Sequence, residues 1–548
     1  MFPILFVVVC YALKVALIWR DFHVEDSESY LRVAAYDALY ILPILLMLAI
    51  PGQKSRVWFA ISRVITLLAM VIYFGDMVLM FTFQSRLYFE DIPKFYDQIN
   101  IYLGELSTNQ IIIIAVAALL CGLYLFARRI VVSNAGLVLL ALLYIVAGTS
   151  ILWAPKSVRH PFYINVVQAN LGSTHLNRYS EGFINTFRYQ PTVTCEPVET
   201  IQPTKIVVIL FESWSNYHSA YFGQGRDWTP ELDTLARENI TLTNFYANGF
   251  TTETGLYALF TGQPLLSGSI NMRLDGGISL SQIKAPVSLI HQFADAEYNT
   301  SFVTSGDLGF LNKGVWLESM GFQRIIGAAD YPDSLPRYLF NSVSDEILFE
   351  RAYQELNATT DKQLMVIENV TTHPPFVVPQ ESGVVLSESL AFQYSDRIIT
   401  EFIQRITADD TMIIVLSDHR AMVPLTQAEK QQDKLMAPSK VPAFMVWQGG
   451  QQKVDVAVQQ ADLLVSVFAA VHGESCVSEM TGRVLPLDNL VPPQCVVFRR
   501  GDSRERVTLR CNSKDFTVLL DGDRTRLING DQQHATVNIV NYLRLQQQ

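Results

Sequence analysis

Five apolar stretches crowd the first 155 residues, at 2–19, 33–50, 57–83, 111–127 and 135–154, and they restrict the chain more than anything that follows. Most come close to the roughly 20 residues that an α-helix needs to cross the hydrocarbon core of a bilayer, so the pattern predicts a five-helix transmembrane bundle. A cleaved signal peptide is the competing reading of the first stretch, but no basic leader precedes it and Lys14 interrupts its apolar run. Lys54 and Arg56 lie between spans two and three, and Arg128 and Arg129 between spans four and five. Those loops are expected to face the cytoplasm, which places everything after Pro155 on the opposite side. Asp37, Arg63 and Asp76 fall inside apolar segments, where a charge needs a partner or a polar groove such as one for a lipid headgroup.

Half of the 548 residues are hydrophobic, and the surplus sits in this front region. The remainder is long enough for a soluble domain with a large core. A net charge of −11 without extended basic runs argues against nucleic acid as a partner. Residues 156–204 show no strong periodicity and read as a linker. From 205 onward short apolar runs alternate with amphipathic ones: strands at 206–211, 300–304, 363–368, 411–416 and 441–447, and helices near 229–238, 254–261, 286–297, 344–356, 388–406 and 459–471. That alternation predicts a mostly parallel sheet flanked by helices over 205–497. Residues 498–548 change to short polar-apolar strands with Asp-Gly and Asn-Gly turn signals, a small antiparallel β appendage.

Two buried-strand patterns end in polar residues. IVVILFES delivers Glu212, and IIVLSDH delivers Asp418 and His419. Between them Thr252 precedes a short apolar helical run, with Thr251 and Thr254 as rival hydroxyls. Ligands of open α/β sheets bind beyond the carboxyl ends of the strands, so Glu212, Thr252, Asp418 and His419 are expected around one point. Two carboxylates, an imidazole and a hydroxyl suit one divalent metal ion (Mn, Mg or Zn) beside an activated nucleophile. Cys195, Cys476, Cys495 and Cys511 lie in the exported part, an even number that permits two disulfides. Cys476 with Cys495 is the expected pair.

The strings IVVILFESWS, TPELDTLARENITLTNFYANGFTTETGLYALFTGQP, TSGDLGFLNKGVWLESMGF, TTHPPF and IIVLSDH together resemble the lipoteichoic acid synthase family of the alkaline phosphatase and sulfatase superfamily, over roughly 200–475. The five-span bundle is similar to that family and to the phosphoethanolamine transferases of the bacterial envelope. The resemblance implies a metal-dependent phosphotransferase of the bacterial inner membrane with an extracytoplasmic catalytic domain. It places the nucleophile at Thr252, ten residues before Gly262, and metal ligands at Glu212, Asp418 and His419, and the Thr252 hydroxyl is expected to coordinate the ion as well. It further implies that His373, Asn312 and Lys313 contact substrate, although Lys313 stands where the family has Arg and Leu311 where it has Trp. Asp307 reads as a turn residue. Phosphoglycerol transfer from a membrane phospholipid to an extracytoplasmic glycan, lipid or protein is the expected activity, through a phosphothreonine intermediate. Phosphoethanolamine transfer is the alternative. A sulfatase is disfavoured because Thr252 cannot become formylglycine, and a non-catalytic scaffold because the ligand set is complete.

Overall fold

The computed structural model describes residues 11–16, 18–19, 27–49, 56–83, 86–89, 92, 133–153, 164–172, 179–188, 193–223, 225–266, 287–380, 383–448, 450–478, 480–501, 506–520, 523, 525–529 and 534–547. They fall into two compact units, the first holding the described residues up to Ile92 and from 133 to 172, the second those from 179 onward.

Apolar helices Ser27–Ala49, Arg56–Phe83 and Asn134–Trp153 make up most of the first unit. Within them Tyr30–Met47 and Val57–Met80 are long and apolar enough to cross a membrane. Residues 11–16 and 18–19 of the first expected span are helical, and the fourth, 111–127, lies outside the described residues. The interior charges are paired. Lys14 Nζ donates to Asp37 Oδ1 at 2.8 Å and the Tyr73 hydroxyl to Asp37 Oδ2 at 2.6 Å. Arg86 holds Asp76 through Nε at 2.9 Å and Nη2 at 2.6 Å. Both cations also reach the Ile164 carbonyl, Lys14 at 3.4 Å and Arg86 at 3.0 Å. The Arg63 guanidinium lies 4.9 Å from the centre of the Phe59 ring. Burying charges this deeply is tolerable only with such compensation, because an isolated ion forfeits its hydration.

The second unit is built on an eight-stranded sheet: β1 (Lys205–Leu210), β2 (Ile240–Leu242), β3 (Asn299–Thr304), β4 (Arg324–Ile326), β5 (Gln363–Glu368), β6 (Thr411–Leu416), β7 (Ala443–Val446) and β8 (Gln452–Val454). Their spatial order is β8-β2-β7-β6-β1-β5-β3-β4, and β7 alone runs against its neighbours. Burial on both faces explains the unbroken apolar runs of the central strands. Ile206, Val208 and Leu210 of β1 enter one core with Leu256, Leu259 and Phe260 of helix α1 (Thr252–Thr261). Val207 and Ile209 enter the other with Leu348 and Phe349 of α2 (Asp345–Leu356) and Phe402 and Ile403 of α3 (Glu388–Ile406). Helix α4 (Gln460–His472) covers the first face beside α1 through Leu463, Leu464 and Val467.

One expectation is corrected. Cys476 does not pair with Cys495: the disulfides are Cys195–Cys476 and Cys495–Cys511. Strand register decides this, since Cys195 faces Cys476 and Cys495 faces Cys511 across antiparallel pairs, and the strands carrying Cys476 and Cys495 belong to different sheets. Described residues of the stretch 156–204 include helices Val166–Gly172 and Glu181–Thr186 and the strand Thr194–Pro197 that carries Cys195. The C-terminal sheet starts at Cys495, has strands Cys495–Arg499, Arg506–Cys511, Lys514–Leu519 and Arg526–Asn529, and is followed by a helix, His534–Gln546. This antiparallel region agrees with the expected β appendage, and its tail is tied down, for Gln547 donates to the Pro264 carbonyl and accepts from Leu266 N, both at 2.9 Å.

Candidate metal and nucleophile site

Strand register brings the two carboxylates together. Leu210 of β1 lies opposite Leu416 of β6, so Glu212 and Asp418 each stand two residues past the same rung. The ladder ends with Phe211 N donating to the Leu416 carbonyl at 2.9 Å. Beyond it, side chains replace strand partners. Glu212 N donates to Asn369 Oδ1 at 2.9 Å, and the Thr372 hydroxyl donates to the Glu212 carbonyl at 2.7 Å. Asn369 is itself held by the buried Asp345 carboxylate, which also accepts from the Thr371 and Ser395 hydroxyls. Ser213, at φ 60°, then turns the chain through the left-handed region. Its N–H donates to Asp418 Oδ1 at 2.9 Å and its hydroxyl to Glu212 Oε1 at 2.8 Å. Strain of this kind collects where surrounding contacts over-determine a functional geometry.

Thr252 is the first residue of α1, and the rival hydroxyls are engaged elsewhere. Thr251 caps the helix, while Thr254 Oγ1 donates to the Thr251 carbonyl at 2.6 Å and accepts from Thr251 N at 3.1 Å. Thr252 Oγ1 faces inward, 3.3 Å from Glu212 Oε2 and 3.4 Å from His419 Nε2. His419 Nε2 in turn lies 3.5 Å from Glu212 Oε1 and 3.3 Å from Asp418 Oδ2. The structure therefore brings all four expected residues to one point. Close approach of backbones makes this possible: a Cβ on Gly255 of α1 would stand 2.4 Å from the Asp418 carbonyl oxygen.

Electrostatics mark the cluster as a cation site. Burial, and then the Glu212 carboxylate, push the Asp418 carboxyl up to about 7. His419 is pulled down by burial but pushed up more by Asp418 and Glu212, ending above its ordinary value. Asp418 Oδ2 is buried with no hydrogen-bond partner. His419 Nδ1 lies 2.9 Å from the Arg420 carbonyl, so a proton there leaves the Nε2 lone pair directed at the carboxylates. Ligand atoms of Glu212, Asp418 and His419 all lie within 4.8 Å of one another. Two carboxylate oxygens, among them the orphaned Asp418 Oδ2, and one imidazole nitrogen are a donor set that fits a divalent ion.

Elsewhere the expected substrate residues are placed as follows. Lys313 is half-buried, and its ammonium donates to both oxygens of Glu368 at 2.8 and 2.7 Å. Burial works to lower its pKa, but Glu368, with Glu253 and Glu212, raises it, so the ammonium is a fixed cation within reach of the cluster's field. Asn312 and Leu311 both adopt positive φ, 52° and 57°. His373 Nδ1 lies 2.6 Å from the Pro374 carbonyl and its ring stands edge-on to Phe340 at 4.9 Å. Asp307 accepts from Gly309 N at 2.8 Å, as a turn residue does. Sequence reasoning missed Glu368, Asn369, Asp345 and Gln460. Glu368 was the one with a signal, a carboxylate ending the buried run QLMVIE as Glu212 ends the run before it.

Comparison with known proteins agrees with this fold. Residues 204–473, just under half of the chain, match the Sulfatase family model. Phosphoglycerol transferase I of Citrobacter koseri is 24% identical over 370 residues, which cover 61% of this chain and 46% of that protein. The Escherichia coli protein of the same name is 26% identical over 257 residues, covering 41% of this chain and 32% of that one. The chain thus spans less than half the length of these curated relatives. Among solved structures, a protein of the alkaline phosphatase superfamily from Vibrio parahaemolyticus superposes with a TM-score of 0.50 at 18% identity, covering 68% of this chain and 96% of its own.

Proposed function

We propose that this chain transfers a phosphoglycerol headgroup from a membrane phospholipid to an acceptor hydroxyl in the cell envelope, with Thr252 as nucleophile. The observation that carries the reading is the Thr252 hydroxyl, 3.3 Å from a Glu212 oxygen and 3.4 Å from His419 Nε2 in a buried cluster that fits a dication. The names of the curated relatives support the choice of headgroup. Glu212, Asp418 and His419 would hold the ion, beside the Thr252 hydroxyl. When bound, a divalent ion lowers the pKa of a coordinated hydroxyl and offsets charge on the phosphoryl oxygens.

The chain's own residues do the rest. Ser213 and Asn369 keep Glu212 oriented, and the Arg420 carbonyl fixes the imidazole tautomer of His419. Thr252 Oγ1 bonds to the headgroup phosphorus as the bond to the diacylglycerol oxygen breaks, and the proton lost by the threonine balances the one the diacylglycerol gains. An acceptor hydroxyl then attacks the same phosphorus, loses its proton and returns Thr252 to its free form. We assign headgroup contacts to Lys313, Asn312 and His373, with Lys313 held in place by Glu368. Two disulfides and two membrane-length apolar helices support an inner-membrane protein whose catalytic domain faces the oxidising, extracytoplasmic side.

Incubating the full chain with Mn2+ and headgroup-labelled phosphatidylglycerol or phosphatidylethanolamine, then weighing the Thr252 peptide, tests the reading. A glycerophosphate adduct is expected. A phosphoethanolamine adduct would reassign the donor, and no adduct with either would remove Thr252 from the nucleophile's role.

A further inference from the structure

We infer that Asn248 and Gln460 form a clamp that sets the distance between the nucleophile and the Asp418 end of the metal cluster; the inference rests on the proposed role of Thr252. Asn248 is fully buried, four residues before Thr252 in the segment that leads into α1. Its backbone N–H donates to Gln460 Oε1 at 2.9 Å. The other end of the same Gln460 amide donates to the Ser417 carbonyl at 2.9 Å and to the Asp418 carbonyl at 2.6 Å. One planar amide therefore spans from the segment carrying Thr252 to the strand end carrying Asp418 and His419. An amide is suited to this, because it offers an acceptor on one side and donors on the other at fixed separation.

Asn248 is anchored from every direction. Its side chain donates to Gln459 Oε1 and to the Val497 carbonyl, both at 2.8 Å, and accepts from Ala461 N at 3.0 Å. Its carbonyl accepts from Arg499 N at 2.9 Å. Val497 and Arg499 belong to the first strand of the C-terminal sheet, beyond the 204–473 span that matches the Sulfatase family model. That sheet thereby becomes a buttress for the nucleophile segment. Gly255 packs into the same junction: a Cβ there would lie 2.4 Å from the Asp418 carbonyl and 3.2 Å from Gln460 Nε2. Neither clamp residue touches the reacting atoms. They are positioning residues, and their effect is expected in the rate of phosphoryl transfer and not in the retention of the ion, whose three proposed ligands stand just beyond the ends of β1 and β6.

The test uses the full chain in detergent with Mn2+ and labelled phosphatidylglycerol, measuring the rate of Thr252 adduct formation per bound ion, the KM for lipid and the Mn2+ dissociation constant. Counting rates per bound ion removes any unfolded fraction. Asn248→Ala is expected to slow adduct formation by about ten- to a hundred-fold, with KM and the Mn2+ constant within about three-fold of native, since an ångström-scale displacement of a nucleophile costs that much. Gln460→Met, which keeps shape and loses both ends of the bridge, is expected to behave alike, and the double variant to be no slower than the worse single one. Native rates per bound ion in Gln460→Met, or additive losses in the double variant, would overturn the clamp. Failure of the native chain to form any adduct on Thr252 would instead overturn the reading on which the clamp rests.

Discussion

Both units bury charge, and they do so in opposite ways. In the helical unit each carboxylate meets a cation: Asp37 faces Lys14 at 2.8 Å and Asp76 faces Arg86 at 2.6 Å, so the cluster is neutral as it stands. In the sheet unit Glu212 and Asp418 converge on one imidazole, and Asp418 Oδ2 has no hydrogen-bond partner. A polar cluster that serves the fold satisfies itself. One that serves chemistry leaves a charge deficit for something the chain does not supply.

The strongest way to break this contrast is at the nucleophile. Thr252→Ala is expected to reduce transfer by on the order of a thousand-fold or more, because the Thr254 hydroxyl is bound to the Thr251 backbone and the Ser213 hydroxyl is spent on Glu212, while Mn2+ binding measured by calorimetry stays within about ten-fold of native. Substantial residual transfer would mean that Thr251 or Thr254 reaches the site after all.

Stability separates the two clusters next. Lys14→Met leaves the Asp37 carboxylate buried without its cation and is expected to cost about 3–5 kcal/mol in detergent unfolding, most of it recovered by adding Asp37→Leu. Asp418→Asn should do the reverse in the metal-free protein. The Asp418 carboxyl is raised from 3.8 to about 7, so its favourable contribution is fully present below about pH 4 and lost as pH rises through 7. At pH 8 the substitution is therefore expected to stabilise the metal-free fold, by up to about 4 kcal/mol, while weakening ion binding. A destabilising effect would show that the site is balanced without an ion.

A smaller effect sharpens the same point. An ion must displace the proton that Asp418 holds below about 7 and the one that the raised His419 imidazole holds, so Mn2+ affinity is expected to fall by at least about ten-fold for each pH unit below 7. A flat profile between pH 5 and pH 7 would contradict the crowding of the two carboxylates.

How much of this was legible in the sequence depended on how local the determining contact is. The central strands were readable because burial on both faces demands unbroken apolar runs, and their abrupt ends at Glu212 and at Asp418-His419 were readable for the same reason. Strands of three residues, such as Ile240–Leu242 and Arg324–Ile326, are too short to carry a period. The disulfide partner of Cys476 was misjudged because proximity in sequence suggested Cys495, whereas register across a sheet brings Cys195 from 281 residues away. The C-terminal helix was overlooked although Ile539, Val540 and Leu543 recur at helical spacing, since the turn signals before it drew the reading toward strands. Asn369 and Gln460 left no signal, for each matters only through backbone groups that folding brings to it.

Anomalous diffraction from crystals grown with Mn2+ tests the central claim most directly. The account predicts one strong peak within about 2.0–2.3 Å of oxygens from Glu212 and Asp418 and of His419 Nε2, with Thr252 Oγ1 next to it. A peak away from these side chains, or none at saturating Mn2+, would contradict it.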